Sequence, residues 1–388
     1  MIWILDSFLF LAALVGHLVL MIGSHNWFYG LNISKRAGDL VHIGHALLVL
    51  AFPVAIWSIW GWSFLNLWSW QEAPIGQRLI LIYMGLCLLV ALVWLPGITL
   101  YRMFRKDPSR AISVQVLDVA KQLGHRPIGA GHHSFLAYFP GNQLFQLECV
   151  ERVVELPRLP AALEGLTIAH LSDLHFHGTP GKGYYQKIME HCAGWNPDLV
   201  ALTGDISDSQ IHYRWVVPIL GHLRWKTAGV AILGNHDHRH DVRLIRKRLR
   251  RLRFHVLENS WMKLPIRGEE VMVIGHEGPW LPGAPDLREC PEDSFRLCLA
   301  HTPDQIHWAQ KNKVDLMLAG HVHGGQIRIP PFGSVLVPSR LGRRYDSGLF
   351  WKSPTLLHVS RGISGEHPIR YNCRPEITLL KLHRAHGN

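Results

Sequence analysis

Paired cysteines are missing from this chain. Its six cysteines, at 87, 149, 192, 290, 298 and 373, stand apart with no CxxC pair. That spacing argues against a disulfide framework in a chain long enough to build a large core, and reduced thiols suit a cytosolic setting. Charge is scarce over residues 1–100, where Lys35, Arg36 and Arg78 balance Asp6, Asp39 and Glu72. The whole excess of +11 therefore belongs to residues 101–388. A basic segment ahead of the first apolar run is also lacking and two more apolar runs follow, which argues against a cleaved signal peptide. At 388 residues the chain exceeds the usual size of one domain, so a greasy front and a polar back are the expected division.

Three apolar stretches fill the front: Ile2–Ile22, Val41–Trp60 and Leu79–Ile98. Each has the length of about 20 residues that a helix needs to cross the ~30 Å hydrocarbon core. The first carries Asp6 and His17 and is the least regular. Leu79–Ile98 shows no polar face, unlike a helix of a soluble bundle. Eight of the fifteen tryptophans fall in the first hundred residues, a bias expected at membrane interfaces. Lys35 and Arg36 lie between spans one and two, and Arg102, Arg105, Lys106 and Arg110 follow span three. The positive-inside rule then places both clusters in the cytoplasm and the N-terminus outside, in a multi-pass protein of the inner (cytoplasmic) membrane. His42 and His45, with no carboxylate or cysteine nearby, read as interhelical hydrogen bonders rather than metal ligands.

Residues 101–155 read as a connector with some strand character, broken by Pro127, Gly129, Gly131, Pro140 and Gly141. "LPRLP" (156–160) marks a boundary, and a catalytic region follows over 156–388. There the pattern becomes regular, with short apolar runs alternating with helical stretches. "GLTIAHLSDLH" ends in Asp173 and His175, and "PDLVALTGDISD" in Asp205 and Asp208. "GVAILGNHD" ends in Asn235, His236 and Asp237, "FRLCLAHTPD" delivers His301, and "VDLMLAGHVHGG" delivers His321 and His323. One such ending is an ordinary polar cap. Five of them, all from the metal-ligand set, point to a site at the carboxyl ends of strands, where loops converge. His321 and His323 should share a face of an extended segment, as should Asp173 and His175. Gly204, Gly234, Gly320, Gly324 and Gly325 allow sharp turns and close approach. Mixed imidazole and carboxylate ligation suits first-row divalent ions, and seven or more ligands imply two of them.

Together "DLH", "GDISD", "GNHD", the His of "LAHTPD" and "GHVH" resemble the five-part signature of the calcineurin-like metallophosphoesterases. The likeness covers roughly residues 156–382. "GHVHGGQIRIPPFG", "PSRLGRRYDSG" and "VSRG" resemble the bacterial, membrane-anchored branch that includes enzymes hydrolysing the pyrophosphate of UDP-2,3-diacylglucosamine in lipid A biosynthesis. The resemblance implies an α/β fold: a metallophosphoesterase β-sandwich flanked by helices, preceded by an N-terminal helical transmembrane region. It further implies that Asp173, His175 and His323 hold one metal ion, that Asn235, His301 and His321 hold a second, and that Asp205 bridges them. His236 would be the catalytic histidine, oriented by Asp208. Manganese is the favoured ion, with iron, zinc or magnesium as alternatives. Two ions ~3.5–4 Å apart lower the pKa of a shared water and clamp an in-line displacement, so hydrolysis by metal-bound hydroxide is expected. Asp237 and Asp304 read as second-layer or capping residues. "HEGPWLPGAPD" (276–286) reads as a surface loop that shapes substrate choice.

"DVRLIRKRLRRLRF" (241–254) places Val242, Ile245, Leu249 and Leu252 at helical spacing beside seven basic residues. A helix covering a sheet with a solvated basic face is one reading, and contact with anionic lipid headgroups is another. The expected partners are the lipid bilayer and a lipid-linked phosphate or nucleotide-lipid substrate, with nucleic acid disfavoured. A phosphodiesterase acting on soluble nucleotides or nucleic acid is the rival within the same class, and a catalytically silent membrane scaffold the rival outside it.

Overall fold

The computed structural model describes residues 2–33, 35–60, 74–131 and 133–385. Glu72 and the tryptophans at 62, 68 and 70 lie outside them. The chain divides into two compact units, Met1–Lys106 with Pro330–Gly342, and Asp107–Ile329 with Arg343–Asn388.

The first unit is built on helices α1 (Ile2–Tyr29), α2 (Lys35–Trp60), α3 (Ile75–Leu89) and α4 (Leu95–Phe104). A π-helical turn at Val90–Trp94 joins the last two into one rod. Three helices, Ile4–Tyr29, Arg36–Ile59 and Ile75–Phe104, are long and apolar enough to cross a membrane. Each extends beyond the apolar stretch read from sequence, because polar turns continue the helix past its greasy middle. Few side chains are buried between them: Ala13, Phe52, Ile56, Met84 and Cys87 form a small core. His17 and Ser24 of the first span find partners within the bundle, as a low-dielectric surrounding favours, whereas the buried Asp6 Oδ1 has none. His17 Nδ1 lies 2.7 Å from the Tyr83 hydroxyl and its Nε2 3.1 Å from Leu48 O. His45 Nε2 meets Ser24 Oγ at 2.7 Å, an interhelical hydrogen bond. Residues 330–342 also join this unit. The buried Asn26 amide donates to Val335 O and accepts from Val337 N–H, so a stretch read as catalytic region completes the helical one.

The second unit is a two-sheet sandwich. Its strands are β1 (Ala111–Asp118), β2 (Gln146–Leu156), β3 (Leu166–Leu171), β4 (Leu199–Thr203), β5 (Ala228–Ile232), β6 (Phe254–Val256), β7 (Trp261–Ile266), β8 (Glu269–His276), β9 (Arg296–Ala300), β10 (Leu316–Ala319), β11 (Gly348–Lys352), β12 (Thr355–Val359) and β13 (Glu376–Arg384). One sheet runs β1-β2-β13-β3-β4-β5-β6 and the other β11-β12-β10-β9-β8-β7. Strands β3 to β6 are parallel, as are β8, β9, β10 and β12. Parallel strands covered on both faces read as continuous apolar runs, and "LVALT" of β4 is buried throughout. Its Leu199 and Ala201 face the other sheet, in one core with Val273, Leu297 and Leu318. Val200 and Leu202 face the helices α5 (Val119–Leu123), α6 (Lys182–Gly194), α7 (Val216–Leu220) and α8 (Val242–Arg251), in a second core with Tyr185, Ile219 and Ile245. Helix α9 (Ile306–Lys311) follows β9.

Residues 101–155 are more than a connector. β1 and β2 extend the first sheet, and Leu147, Cys149 and Val154 of β2 enter its two cores. The single-residue alternation in "QLECVERVVEL" carries that burial, and the surrounding prolines and glycines mask it. The six cysteines are all free and buried.

Candidate metal centre

The ligand-bearing loops come from both sheets. Asp173 and His175 follow β3, Asp205 and Asp208 follow β4, and Asn235 and His236 follow β5. His301 follows β9, and His321 and His323 follow β10. The site therefore spans the carboxyl ends of two parallel strand sets rather than the rim of one sheet.

Among the described residues three donor groups form there, one of them made of His175, Asp208 and His236, and the other two share one carboxylate. Asp173, His175, Asp205 and His323 bring their ligand atoms together, and so do Asp205, His301 and His321. In the first group His175 Nε2 lies 3.2 Å from His323 Nε2, 3.5 Å from Asp205 Oδ2 and 4.0 Å from Asp173 Oδ1. In the second, His301 Nε2 lies 3.2 Å from Asp205 Oδ2 and 3.0 Å from Asn235 Oδ1. The Nδ1 atoms are tied back: His301 to Thr203 O at 2.6 Å, His323 to Ser364 O at 3.1 Å and His175 to Asp208 Oδ1 at 2.6 Å. Such outer contacts fix a ring so that Nε2 faces the centre. His236 sits beside both groups, its Nδ1 2.9 Å from Asp208 Oδ1 and its backbone N–H donating to Asp205 Oδ1 at 2.8 Å.

The local backbone differs from the extended geometry read from sequence. Asp173, His175, Asp205, His321 and His323 all have φ between 48° and 69°, and Val322 between the two histidines is helical. The segment is a turn, so His321 and His323 diverge to different groups. Such left-handed residues cost backbone energy and gather at functional sites. Two glycines make the convergence possible. A Cβ on Gly234 would lie 2.2 Å from Asp205 Oδ1, and one on Gly320 would lie 1.9 Å from Ser172 Oγ and 2.4 Å from Asp173 Oδ2.

Burial disfavours charge on all these groups, yet the carboxylates of Asp208, Asp205 and Asp173 raise His175 to about 10. Asp205 and Asp173 likewise raise His301 to about 9 against burial. The imidazoles of His301, His236 and His175 hold Asp205 well below the usual carboxylate range, again against burial. His321 Nε2 is buried without a partner. Clustered carboxylates that need positive charge, with imidazoles turned Nε2-inward and an orphaned ring nitrogen, fit divalent metal ions.

Asp237, which the sequence reads as a second-layer or capping residue, accepts from the N–H groups of Ile206, Ser207 and Gly234, locking the β4 and β5 loops together. Asp304 opens the turn after His301, its N–H donating to Thr302 Oγ1. Glu277 lies in the stretch read as a surface loop, yet it is fully buried. It accepts from Leu233 N–H at 2.8 Å and Arg246 Nη2 at 2.7 Å, with His238 Nε2 at 2.9 Å. Arg246 thus turns inward from the basic helix α8, while Arg243, Lys247, Arg250 and Arg251 stay exposed. Trp280, three residues on, sets its ring 4.9 Å from His321 and 5.3 Å from His301. Arg370, also fully buried, donates to His323 O and Arg361 O. A carboxylate in an apolar neighbourhood is the only sequence signal Glu277 gives.

Residues 166–325 match the calcineurin-like phosphoesterase family, a span holding every candidate ligand. An uncharacterized metallophosphoesterase of Bacillus subtilis (strain 168) is 29% identical over 245 residues, 61% of this chain and 85% of that protein. Phosphodiesterase YaeI of Escherichia coli (strain K12) is 29% identical over 220 residues, 55% of this chain and 81% of its own. A Danio rerio protein named for transmembrane and metallophosphoesterase parts is 30% identical over 254 residues, 60% of this chain and 57% of its own.

Proposed function

With residues 166–325 forming a calcineurin-like metallophosphoesterase domain, a hydrolase acting on phosphoester bonds, we propose that the protein cleaves a phosphodiester or pyrophosphate in a lipid-linked substrate. The observation that carries the lipid is the presence of three membrane-length apolar helices in the same chain. A tethered site meets lipid headgroups at high local concentration and needs no tight binding, whereas a freely diffusing substrate gains nothing from the tether. UDP-2,3-diacylglucosamine, an intermediate of lipid A biosynthesis, is the most specific candidate. The similarity to a phosphodiesterase of Escherichia coli (strain K12) favours a diester over a monoester.

In this reading Asp173, His175 and His323 would hold one divalent ion and Asn235, His301 and His321 a second, with Asp205 shared between the two sets, and manganese is the favoured ion. Bound ions supply an activated water and neutralise charge at phosphorus. The chain's own chemistry lies in His236, whose Nδ1 rests on Asp208 while Nε2, 3.9 Å from the exposed Glu366 carboxylate, would give a proton to the leaving oxygen. Asp237, Glu277 and Arg370 keep the loops in register. Lys35, Arg36 and the basic residues after the third span favour a catalytic domain on the cytoplasmic side of the inner membrane.

The test is turnover by the detergent-solubilised full chain with added manganese, on UDP-2,3-diacylglucosamine, glycerophospholipid diesters, soluble nucleotides and a chromogenic diester. Lipid substrates should be cleaved fastest. Equal or faster cleavage of soluble nucleotides overturns the lipid reading and leaves the diesterase.

A further inference from the structure

The short 3₁₀ helix Ser134–Tyr138 holds large apolar side chains out of the fold. Phe135, Tyr138 and Phe139 are 60%, 65% and 44% exposed, while Ala137 between them is fully buried. Loose packing is not the cause, because the segment is anchored at several points. Arg126 donates to Ala137 O, and Asn142 Nδ2 donates to Leu136 O at 3.0 Å and to Pro368 O at 2.9 Å. The His133 ring stacks on His367 at 4.9 Å.

Those anchors lead to the mouth of the metal centre. The loop carrying His367 and Pro368 also carries Ser364, whose carbonyl takes His323 Nδ1 at 3.1 Å. It carries Glu366 as well, 3.9 Å from His236 Nε2. The aromatic segment therefore borders the entrance on the side of the candidate proton donor. Residues 119–147 contain no Asp or Glu, and Lys121 and Arg126 are exposed there, while Glu366 is an exposed acid on the adjoining loop.

We propose that Phe135, Tyr138 and Phe139 form a membrane-contact element that inserts into the headgroup region of an anionic bilayer and seats the mouth of the site on it. Exposed aromatic rings favour that region, where an apolar body and a polar edge are both accommodated. A contiguous exposed apolar patch marks an interaction surface, and adjacent cations add attraction to anionic lipid. The occupant is the bilayer to which the membrane-length helices of the same chain confine it. The inference rests on the lipid-substrate reading and gives it a means of access, since a headgroup need not leave the surface to be cleaved.

The six native cysteines are all buried, so a single exposed cysteine can be labelled selectively. The full chain carrying Phe135→Cys with a nitrobenzoxadiazole label is reconstituted into vesicles of phosphatidylcholine and phosphatidylglycerol. Glu190→Cys, at an exposed position on α6, serves as the control. The label at 135 should shift to the blue and lose most of its emission to brominated lipid, and the label at 190 should do neither. This readout needs no turnover, so it can fail while the hydrolase stands, and can hold if the substrate proves soluble. An unquenched label at 135 overturns the proposal. So does one shielded to the same extent in detergent as protein concentration rises, which would assign the patch to a second copy of the chain.

Discussion

His236 rests on Asp208, its Nδ1 2.9 Å from the carboxylate oxygen that also takes His175 Nδ1 at 2.6 Å. One oxygen thus orients both the candidate proton donor and a candidate ligand, and the two roles can be separated by mutation. His236→Ala should keep its metal and lose about 10²–10⁴-fold in kcat, the usual worth of a positioned acid or base. Asp208→Ala should lose comparable activity and also bind metal more weakly, because His175 loses its anchor. Metal titration beside steady-state kinetics checks both. Normal turnover by His236→Ala on a poor leaving group would remove the catalytic role.

Glu277 is a structural keystone as well as a neighbour of the site. Its carboxylate is fully buried and joins Leu233 N–H, Arg246 and His238. Glu277→Ala leaves the Arg246 guanidinium with only the partly exposed Glu258 carboxylate, 3.5 Å away, and strands the Leu233 N–H. Removing one partner of a buried pair costs about 3–5 kcal/mol. Denaturant unfolding should show that loss, together with reduced activity because the β5 loop carrying Asn235 and His236 loosens. A loss below about 1 kcal/mol, typical of an exposed pair, would contradict the assignment.

The legible part of this site is what apolar runs and their endings reveal. β3, β4, β5, β9 and β10 are short, mostly apolar runs, and the Asp, Asn and His residues of the site follow their carboxyl ends. What stayed hidden depends on backbone dihedrals and on burial from distant segments. The left-handed turns at His321 and His323 leave no mark in side-chain periodicity, so an extended geometry was the natural expectation. Glu277 is polar and followed by Gly278 and Pro279, which reads as loop, yet Arg246 and Asn259, the latter taking Glu277 N–H at 2.7 Å, draw it inside. Strand β2 was obscured because its partner β13 lies over two hundred residues later in the chain, and edge strand β1 pairs with β2 in turn.

A buried histidine pair ties stability to pH. His170 and His358 are fully buried, Nδ1 to Nδ1 at 2.8 Å, and His170 Nε2 meets Thr203 Oγ1 at 2.9 Å. Burial, with Arg152 and Arg361 adding repulsion, holds His358 at about 3. Burial and His358 hold His170 well below the usual imidazole range. Both stay neutral in the folded chain, while the unfolded chain takes up protons below about pH 6.5. Stability should therefore fall as pH drops from about 6.5 toward the folded values, by up to ~1.4 kcal/mol per pH unit for each histidine. His358→Gln should unfold with a shallower pH slope over that window, measured by denaturant midpoint. An unchanged slope would show that the pair does not titrate as described.

The last expectation concerns the number of ions. Asp205 Oδ2 lies 3.5 Å from His175 Nε2 and 3.2 Å from His301 Nε2, so one carboxylate belongs to both donor groups. His321 and His323, two residues apart, belong to one group each. A carboxylate has two oxygens and can bind two ions, whereas a neutral imidazole Nε2 serves one. Elemental analysis after chelation and reconstitution with manganese should therefore find two ions per chain. His321→Ala should retain one, held by Asp173, His175, Asp205 and His323. Asp205→Asn should weaken both sites, because the amide keeps the shape of the carboxylate and loses its charge. A wild-type chain that carries a single ion, or an Asp205→Asn variant that still holds two at full affinity, would exclude the shared bridge.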